Sequence, residues 1–423
     1  MSEENHDARP TGPLSKIIVL DLTTFLSGPS ATQLLGDLGA DVIKLEPLCG
    51  DMTRTIPPYS VGPDSAYYLA NNRNKRCIAV DLKREAGHRI LTSLLDQVDV
   101  VVENFRPGVL ERLGLDVDAI QAERPALIWV SISGFGQDGP MSRLPAYDMI
   151  VQAQSGVMSL TGEPGGPPVR LGIPAGDVVA GLYSVIGLLA ALIARKESGR
   201  GRWVDAAMLD GQLAMLSYQA VYSMVGNMTP GPQGSRHDSI PTYRTFTGSD
   251  SREFAVTANT ERMWHALCEA IGVPDLPLDE RFHSPARRLA NREALWEIVE
   301  PRFLSTTAAE WVSILNAKGV PAGLIKTVPE ALADARDADR GMVRRMTHAD
   351  GRTVEVLGSP VMFRNEDPPE FRYPPALGEH SEQVLTELLG YAPEEIRLLT
   401  EAGVVVSPNA ATDEAQFAEA GNP

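Results

Sequence analysis

KIIVLDLTTFLSGPSATQLLGDLGADVIKLEP, residues Lys16 to Pro47, is the stretch on which the fold turns. Lys16–Leu22 is an apolar run rich in β-branched residues, which favours a strand. Ser27-Gly-Pro-Ser interrupts it. Ala31–Leu38 resumes with apolar residues at helical spacing, and Ala40–Glu46 is a second buried strand. A strand, a crossover helix and a parallel strand form a βαβ unit, and repeated units build a doubly wound sheet. The repeats follow. KRCIAVDL (Lys75–Leu82), VDVVVENF (Val98–Phe105), ALIWVSISGFG (Ala126–Gly136) and GRGRWVDAAM (Gly199–Met208) read as strands. KREAGHRILTSLLDQ (Lys83–Gln97), PGVLERLGL, DVDAIQAERP and LDGQLAMLSYQAVYSMVG (Leu209–Gly226) read as helices.

The texture changes at Asn227. NMTPGPQGSRHDSIPTYRTF is dense in turn formers and reads as linker and loop. REFAVTAN is a strand, and a mostly helical stretch follows to about Leu324. GRTVEVLGSPVMF then supplies late strands, and Gly378–Val405 two late helices. The expected organisation is a flexible N-terminus (1–12) and a large domain begun by 13–226. A linker with a smaller middle α+β domain (227–325) follows, then a return to the large domain (326–405) and a disordered acidic tail (406–423).

The 423 residues carry a net charge of -17. Nucleic acid and anionic membranes need a basic face, so neither is an expected partner. The three cysteines, Cys49, Cys77 and Cys268, are scattered without a C-x-x-C, which fits a reducing cytoplasm and no zinc site. The polar N-terminus lacks the apolar segment of a signal peptide, and a cytoplasmic location is expected. The apolar run Val178–Ala194 contains two glycines, Tyr183 and Ser184, and is expected to be a buried helix.

Several motifs are decoys. Gly134, Gly136 and Gly139 form a G-x-G-x-x-G after a strand, but Pro140 and MSRLP stand where a dinucleotide fold starts its helix. These glycines are expected to serve a tight loop. Glu46 ends the second strand, where such folds place a ribose-binding acid, yet the first turn is not glycine-rich. No nicotinamide cofactor is expected. No P-loop, H-E-x-x-H or G-x-S-x-G occurs, and none of the seven histidines sits at metal-ligand spacing from another, so no metal is expected. His237, in the loop GSRHDS, reads as a solvated or a catalytic histidine. NNRNKR (Asn71–Arg76) and ENFRPGVLERLG, with Asn104, Arg106 and Arg112, are basic clusters at strand boundaries. They read either as a local anion site or as a solvated loop face. Asp177 opens a long apolar helix, where a carboxylate is a helix cap or a nucleophile.

Taken in order, these segments resemble the class III coenzyme A transferases, the CaiB–BaiF family. The likeness runs through VLDLTTFLSGPSATQLLGDLGADVIKLEP, NRNKRCIAVDLK, VVENFRPGVLERLGL, WVSISGFGQDGP, PAYDMIVQAQSGVMSLTGEPGGPPVRLG, AGDVVAGLYSVIGLLAAL and SGRGRWVDAAMLDGQ. The resemblance implies a Rossmann-like large domain built from both chain ends, a small middle domain, and two subunits interlocked as a homodimer. It implies that Asp177 is a covalent nucleophile. It places CoA contacts at Phe25, Leu26, Lys75, Asn104, Phe105, Arg112 and Leu113, and acyl-side residues at Tyr147, Asp148, Gly176 and His237. No cofactor is implied, because CoA thioesters are substrates and the partner is a carboxylic acid.

Departures narrow the expectation. Leu26 stands where formyl-CoA transferases have Gln, and their glycine-rich lid is replaced by GPQGSRHDS. The 2-methylacyl-CoA racemases have His-Asp where this chain has Tyr147-Asp148, which removes one of their two proton-transfer groups. Arg170, Arg236 and His237 are candidates to pair with a second carboxylate. The expected activity is therefore acyl-CoA:carboxylate CoA transfer with a dicarboxylic donor such as succinyl-CoA. The alternatives are the racemase, a CoA-binding protein without catalysis, and lastly a dehydrogenase. Small residues at Gly172, Ala175 and Gly176 are expected to admit the thioester and to offer N–H groups to an oxyanion.

Overall fold

The computed structural model describes residues 11–338, 340–365 and 370–407. The expected flexible start and disordered tail lie almost wholly outside these residues. The chain separates into two compact units. Among the described residues, one comprises 11–157, 171–221, 340–365 and 370–407, and the other 158–170 and 222–338. The second unit extends past both ends of the 227–325 span and takes in the 158–170 segment as well.

The first unit is built on a seven-stranded sheet. β1 (Ile18–Asp21) and β2 (Asp41–Glu46) are joined by helix α1 (Ser27–Asp37). The strand order is Val405–Val406, Lys75–Val80, β2, β1, Val100–Glu103, Ile128–Ser133, Trp203–Ala207. All neighbours are parallel except the short Val405–Val406 strand, which pairs antiparallel with Lys75–Val80 at the edge. The order reverses at β1. The crevice between the carboxyl ends of β1 and Val100–Glu103 is thus the topological switch point, where open α/β sheets bind ligands.

Side chains alternate between the two faces of a strand, and both faces are buried. Leu20, Ile43, Ile78, Val101 and Trp129 pack on one side with Ile90, Leu94 and Leu385. Val19, Val42, Val100, Val102 and Val130 pack on the other with Leu35, Ala180, Val185 and Leu188. Burial on both faces is why these strands read as continuous apolar runs.

The Ala175–Ser198 helix has 24 residues and is long and apolar enough to cross a membrane by length and composition. Its Ala180, Gly181, Ser184, Leu188 and Ala191 face is buried, against α1 and the last two parallel strands. Leu182, Tyr183, Ile186 and Ile193 are exposed. The predicted single helix after Met208 is in fact two, Met208–Met215 and Tyr218–Gly226. The break falls at Ser217, whose φ of 48° interrupts helical backbone. Of the predicted late strands only Thr353–Leu357 forms, paired with Val343–Thr347; Ser359 to Phe363 is irregular.

The second unit holds a three-stranded antiparallel sheet of Tyr243–Thr247, Glu253–Thr257 and Ala322–Leu324. Helices 261–270, 292–303 and 308–317 cover it through Trp264, Leu267, Val299, Phe303 and Trp311.

Candidate active site

The site grows from the loop after β1. Phe25 has a φ of 64°, a left-handed conformation unusual for a bulky residue. Asn104, just beyond the Val100–Glu103 strand, ties this loop down. Its Oδ1 accepts from the Thr24 N–H at 2.9 Å, and its Nδ2 donates to the Thr24 carbonyl at 2.8 Å and to Ser27 Oγ at 3.3 Å. The clamp spans the switch point. It also commits the Asn104 side-chain amide to Thr24 and Ser27.

A third element enters over Gly134. A Cβ there would lie 2.2 Å from Ala146 Cβ, so only glycine lets the 146–148 segment cross the end of the Ile128–Ser133 strand. The G-x-G-x-x-G therefore serves close chain approach and turns, with φ of 87° at Gly136 and 91° at Gly139. The crossing sets the Tyr147 ring edge-on to Phe25, with centroids 5.8 Å apart. It also places Asp148 at the start of the Asp148–Gln154 helix. Asp148 Oδ1 accepts from the Gly176 N–H at 2.7 Å and Oδ2 from Gln152 Nε2 at 2.6 Å.

Asp177 stands in the first turn of the Ala175–Ser198 helix. No side chain caps that helix; the cap position is Pro174, so the cap reading of Asp177 does not hold. Its carboxyl is half-buried. Burial, joined by the Asp148 charge, lifts its pKa to about 7, and a hydrogen bond from Ser27 works in the opposite direction. No cation is among the groups acting on it. The expected oxyanion role of the Gly176 N–H is also corrected, because Asp148 occupies that donor. Gly176 is needed for a different reason: a Cβ would sit 2.3 Å from Gln212 Nε2 and 3.0 Å from Asp148 Oδ1. Gln212 is fully buried, with Oε1 accepting from Ser155 Oγ at 2.7 Å.

The basic cluster at 71–76 is neither an anion site nor a solvated face. Lys75 and Arg76 begin a buried strand, and each cation meets an acid. Arg73 pairs with Asp37 at 2.5 Å, Arg76 with Asp41 at 2.6 Å and Lys75 with Asp21 at 3.0 Å. The Lys75 ammonium also donates to the Pro29 carbonyl and to Asn72 Oδ1. Its three protons are spent inside the protein. Burial raises Asp21, but Lys75, Lys44 and the Thr23 and Thr32 hydroxyls outweigh it and hold the carboxyl at about 2.

Leu26 is buried, Phe105 and Leu113 are half-buried against the first core, and Arg106 and Arg112 are exposed. Phe105 and Arg106 line a pocket of about 200 Å³ with Glu103, Gln137 and Trp203. A larger one, about 450 Å³, is lined by none of the residues named for the site. His237 belongs to the second unit, where its ring stacks on Tyr243 at 5.3 Å and its Nδ1 accepts from the Ser239 N–H. Arg236 lies over Trp296 in the same unit. Sequence reasoning missed Ser27 and Tyr67. The Tyr67 hydroxyl is raised by burial and then by the charges of Asp177, Asp51 and Asp148, which puts it in the field of the acid pair. Neither residue sits in a pattern that a single sequence exposes.

A doubly wound sheet with a carboxylate helix and a clamped loop at its switch point defines a class of α/β enzyme, and the comparisons name the family. The profile of CoA-transferase family III matches residues 14–381. The chain belongs to that family and is an enzyme of the transferase class. Succinyl-CoA:glutarate CoA-transferase of Homo sapiens is 37% identical over 394 residues, covering 93% of this chain and 90% of that protein. Acetyl-CoA:oxalate CoA-transferase of Acetobacter aceti is 38% identical over 371 residues, covering 87% and 94%. The crystal structure of a CAIB/BAIF family protein from Brucella suis superposes with a TM-score of 0.78 at 37% identity, covering 89% of this chain and 99% of that one.

Proposed function

We propose that the protein moves CoA from an acyl-CoA thioester to a free carboxylic acid through Asp177, with a dicarboxylic donor such as succinyl-CoA. The observation that carries this reading is Asp177 itself. Its half-buried carboxyl stands at a helix N-terminus beside the switch-point loop, is held by no cation, and titrates near neutrality. A helix N-terminus favours the anion by about 0.3–1 kcal/mol. The related enzymes named for succinyl-CoA and glutarate support the substrate class.

An Asp177 oxygen attacks the thioester carbonyl, the C–S bond breaks, and CoA leaves as thiolate from a mixed anhydride. The thiolate attacks the Asp177 carbonyl, the first acid departs as carboxylate, and an aspartyl-CoA thioester remains. The acceptor carboxylate attacks that thioester and again frees the thiolate. The thiolate then attacks the acceptor's acyl carbon and releases Asp177. One thioester replaces another, so no ATP is spent, and covalent catalysis divides a hard step into easier ones. CoA enters as a substrate, and no cofactor or metal takes part. Tyr147 offers a phenol where a racemase needs an imidazole base, which favours transfer over α-proton exchange. The working form is read as a cytoplasmic homodimer.

Incubation with succinyl-CoA followed by hydroxylamine tests the reading. A hydroxamate on the Asp177 peptide is expected, and Asp177→Asn should abolish both the mark and turnover. An unmarked protein that still binds CoA would overturn it.

A further inference from the structure

We infer that Ser27, held by Asn104, is a positioning residue for Asp177: its hydroxyl donates to the attacking carboxylate, and Asn104 decides which way that proton points. The inference rests on Asp177 being the nucleophile. Ser27 is the first residue of α1 and is buried at 5% exposure, so bulk water does not replace its hydroxyl. The Ala175–Ser198 helix reaches it closely. A Cβ on Gly181 would lie 2.8 Å from the Ser27 carbonyl oxygen and 3.0 Å from Ser30 Oγ, so glycine is what permits the approach. Asp177 precedes Gly181 by four residues and shares its helix face.

A serine hydroxyl has one proton and two lone pairs. Asn104 Nδ2 donates to one of those lone pairs at 3.3 Å, while the rest of the amide is locked on Thr24. Ser27 therefore acts as acceptor toward Asn104 and keeps its proton for the carboxylate. Toward Asp177 the hydroxyl does two things. It favours the ionised form against burial and the Asp148 charge, and it fixes one carboxylate oxygen so that the other faces the thioester. When Asp177 becomes an anhydride the charge is gone, and the hydrogen bond weakens at the stage where Asp177 must become an electrophile. No proton changes hands, so this is orientation and charge stabilisation.

The test is the pH profile of single-turnover adduct formation on Asp177, trapped with hydroxylamine, in wild type, Ser27→Ala and Ser27→Cys. Loss of a hydrogen bond to a carboxylate raises its pKa, and for one such bond the shift is about one pH unit. Ser27→Ala should move the acid midpoint up by that amount, lose roughly tenfold in rate below the midpoint, and converge on wild type at high pH. Ser27→Cys, with a weaker donor, should fall between. An Ala profile superimposed on wild type overturns the inference. So does a uniform loss at every pH, which marks a merely structural effect. Should Ser27→Ala fail to fold, the Cys profile decides alone. A wild type that forms no adduct fails the nucleophile reading itself; a wild type that forms it with unshifted variants fails only the role of Ser27.

Discussion

At Asp177 three influences compete over one proton. Burial and Asp148 favour the acid, and Ser27 favours the anion. In the proposed mechanism only the anion attacks, so adduct formation should rise with pH through about 7 and level off above it. Below that value the rate should fall about tenfold per pH unit. Asp148→Asn removes the opposing charge, so its acid midpoint should move down in the same assay. Gly176→Ala places a methyl against the Gln212 amide and the Asp148 carboxylate. Overpacking of this kind costs about 1–3 kcal/mol. A lowered melting temperature with loss of adduct formation is therefore expected, and an active, fully stable Ala variant would contradict the packing described.

At the scale of elements, the loop between β1 and α1 rests on a buried charge network. Lys44 donates to the Thr23 carbonyl at 2.7 Å and to Asp51 at 3.0 Å, while Asp21 receives Thr23 and Thr32 and pairs with Lys75. Removing one partner of a buried pair leaves a charge uncompensated, at about 3–5 kcal/mol. Asp21→Asn should lose stability of that order in urea unfolding, whereas exchanging both partners for apolar residues should cost much less. The pH dependence follows from the sign of the shift. Asp21 has a folded pKa depressed to about 2, below the ordinary 3.8. Its contribution is complete above the unfolded value and is lost as pH falls through the folded one. The acid limb of unfolding should therefore lie lower in wild type than in a variant with the network removed.

At the scale of the whole molecule, the Ala175–Ser198 helix is buried on its small-residue face and exposes Leu182, Tyr183, Ile186 and Ile193 on the other. Monomeric proteins rarely leave such a contiguous apolar face in water, which supports the homodimer reading. Light scattering should return twice 45.7 kDa, and Ile186→Glu should lower that mass. A wild type that stays at 45.7 kDa at all concentrations would remove the dimer.

The doubly wound sheet was legible in Lys16–Pro47 because strand and helix periodicity are local, and each later parallel strand announced itself as an apolar run between turn formers; the short antiparallel Val405–Val406 edge strand did not. Asp177 was legible as a candidate because a lone carboxylate opens an apolar helix. The partners of each charge were not. NNRNKR looks like a basic surface, yet Asp21, Asp37 and Asp41, distant along the chain, neutralise it inside the sheet. Asn104 is a loop clamp only because the Val100–Glu103 strand lies beside β1, and the Ser27 end of α1 reaches the Ala175–Ser198 helix only because Gly181 admits it. Local propensity and pattern are properties of neighbouring residues and can be read from one chain. Which carboxylate meets which cation, and which N–H is already taken, depends on strand order and helix approach. Those are set when long-range packing closes the fold.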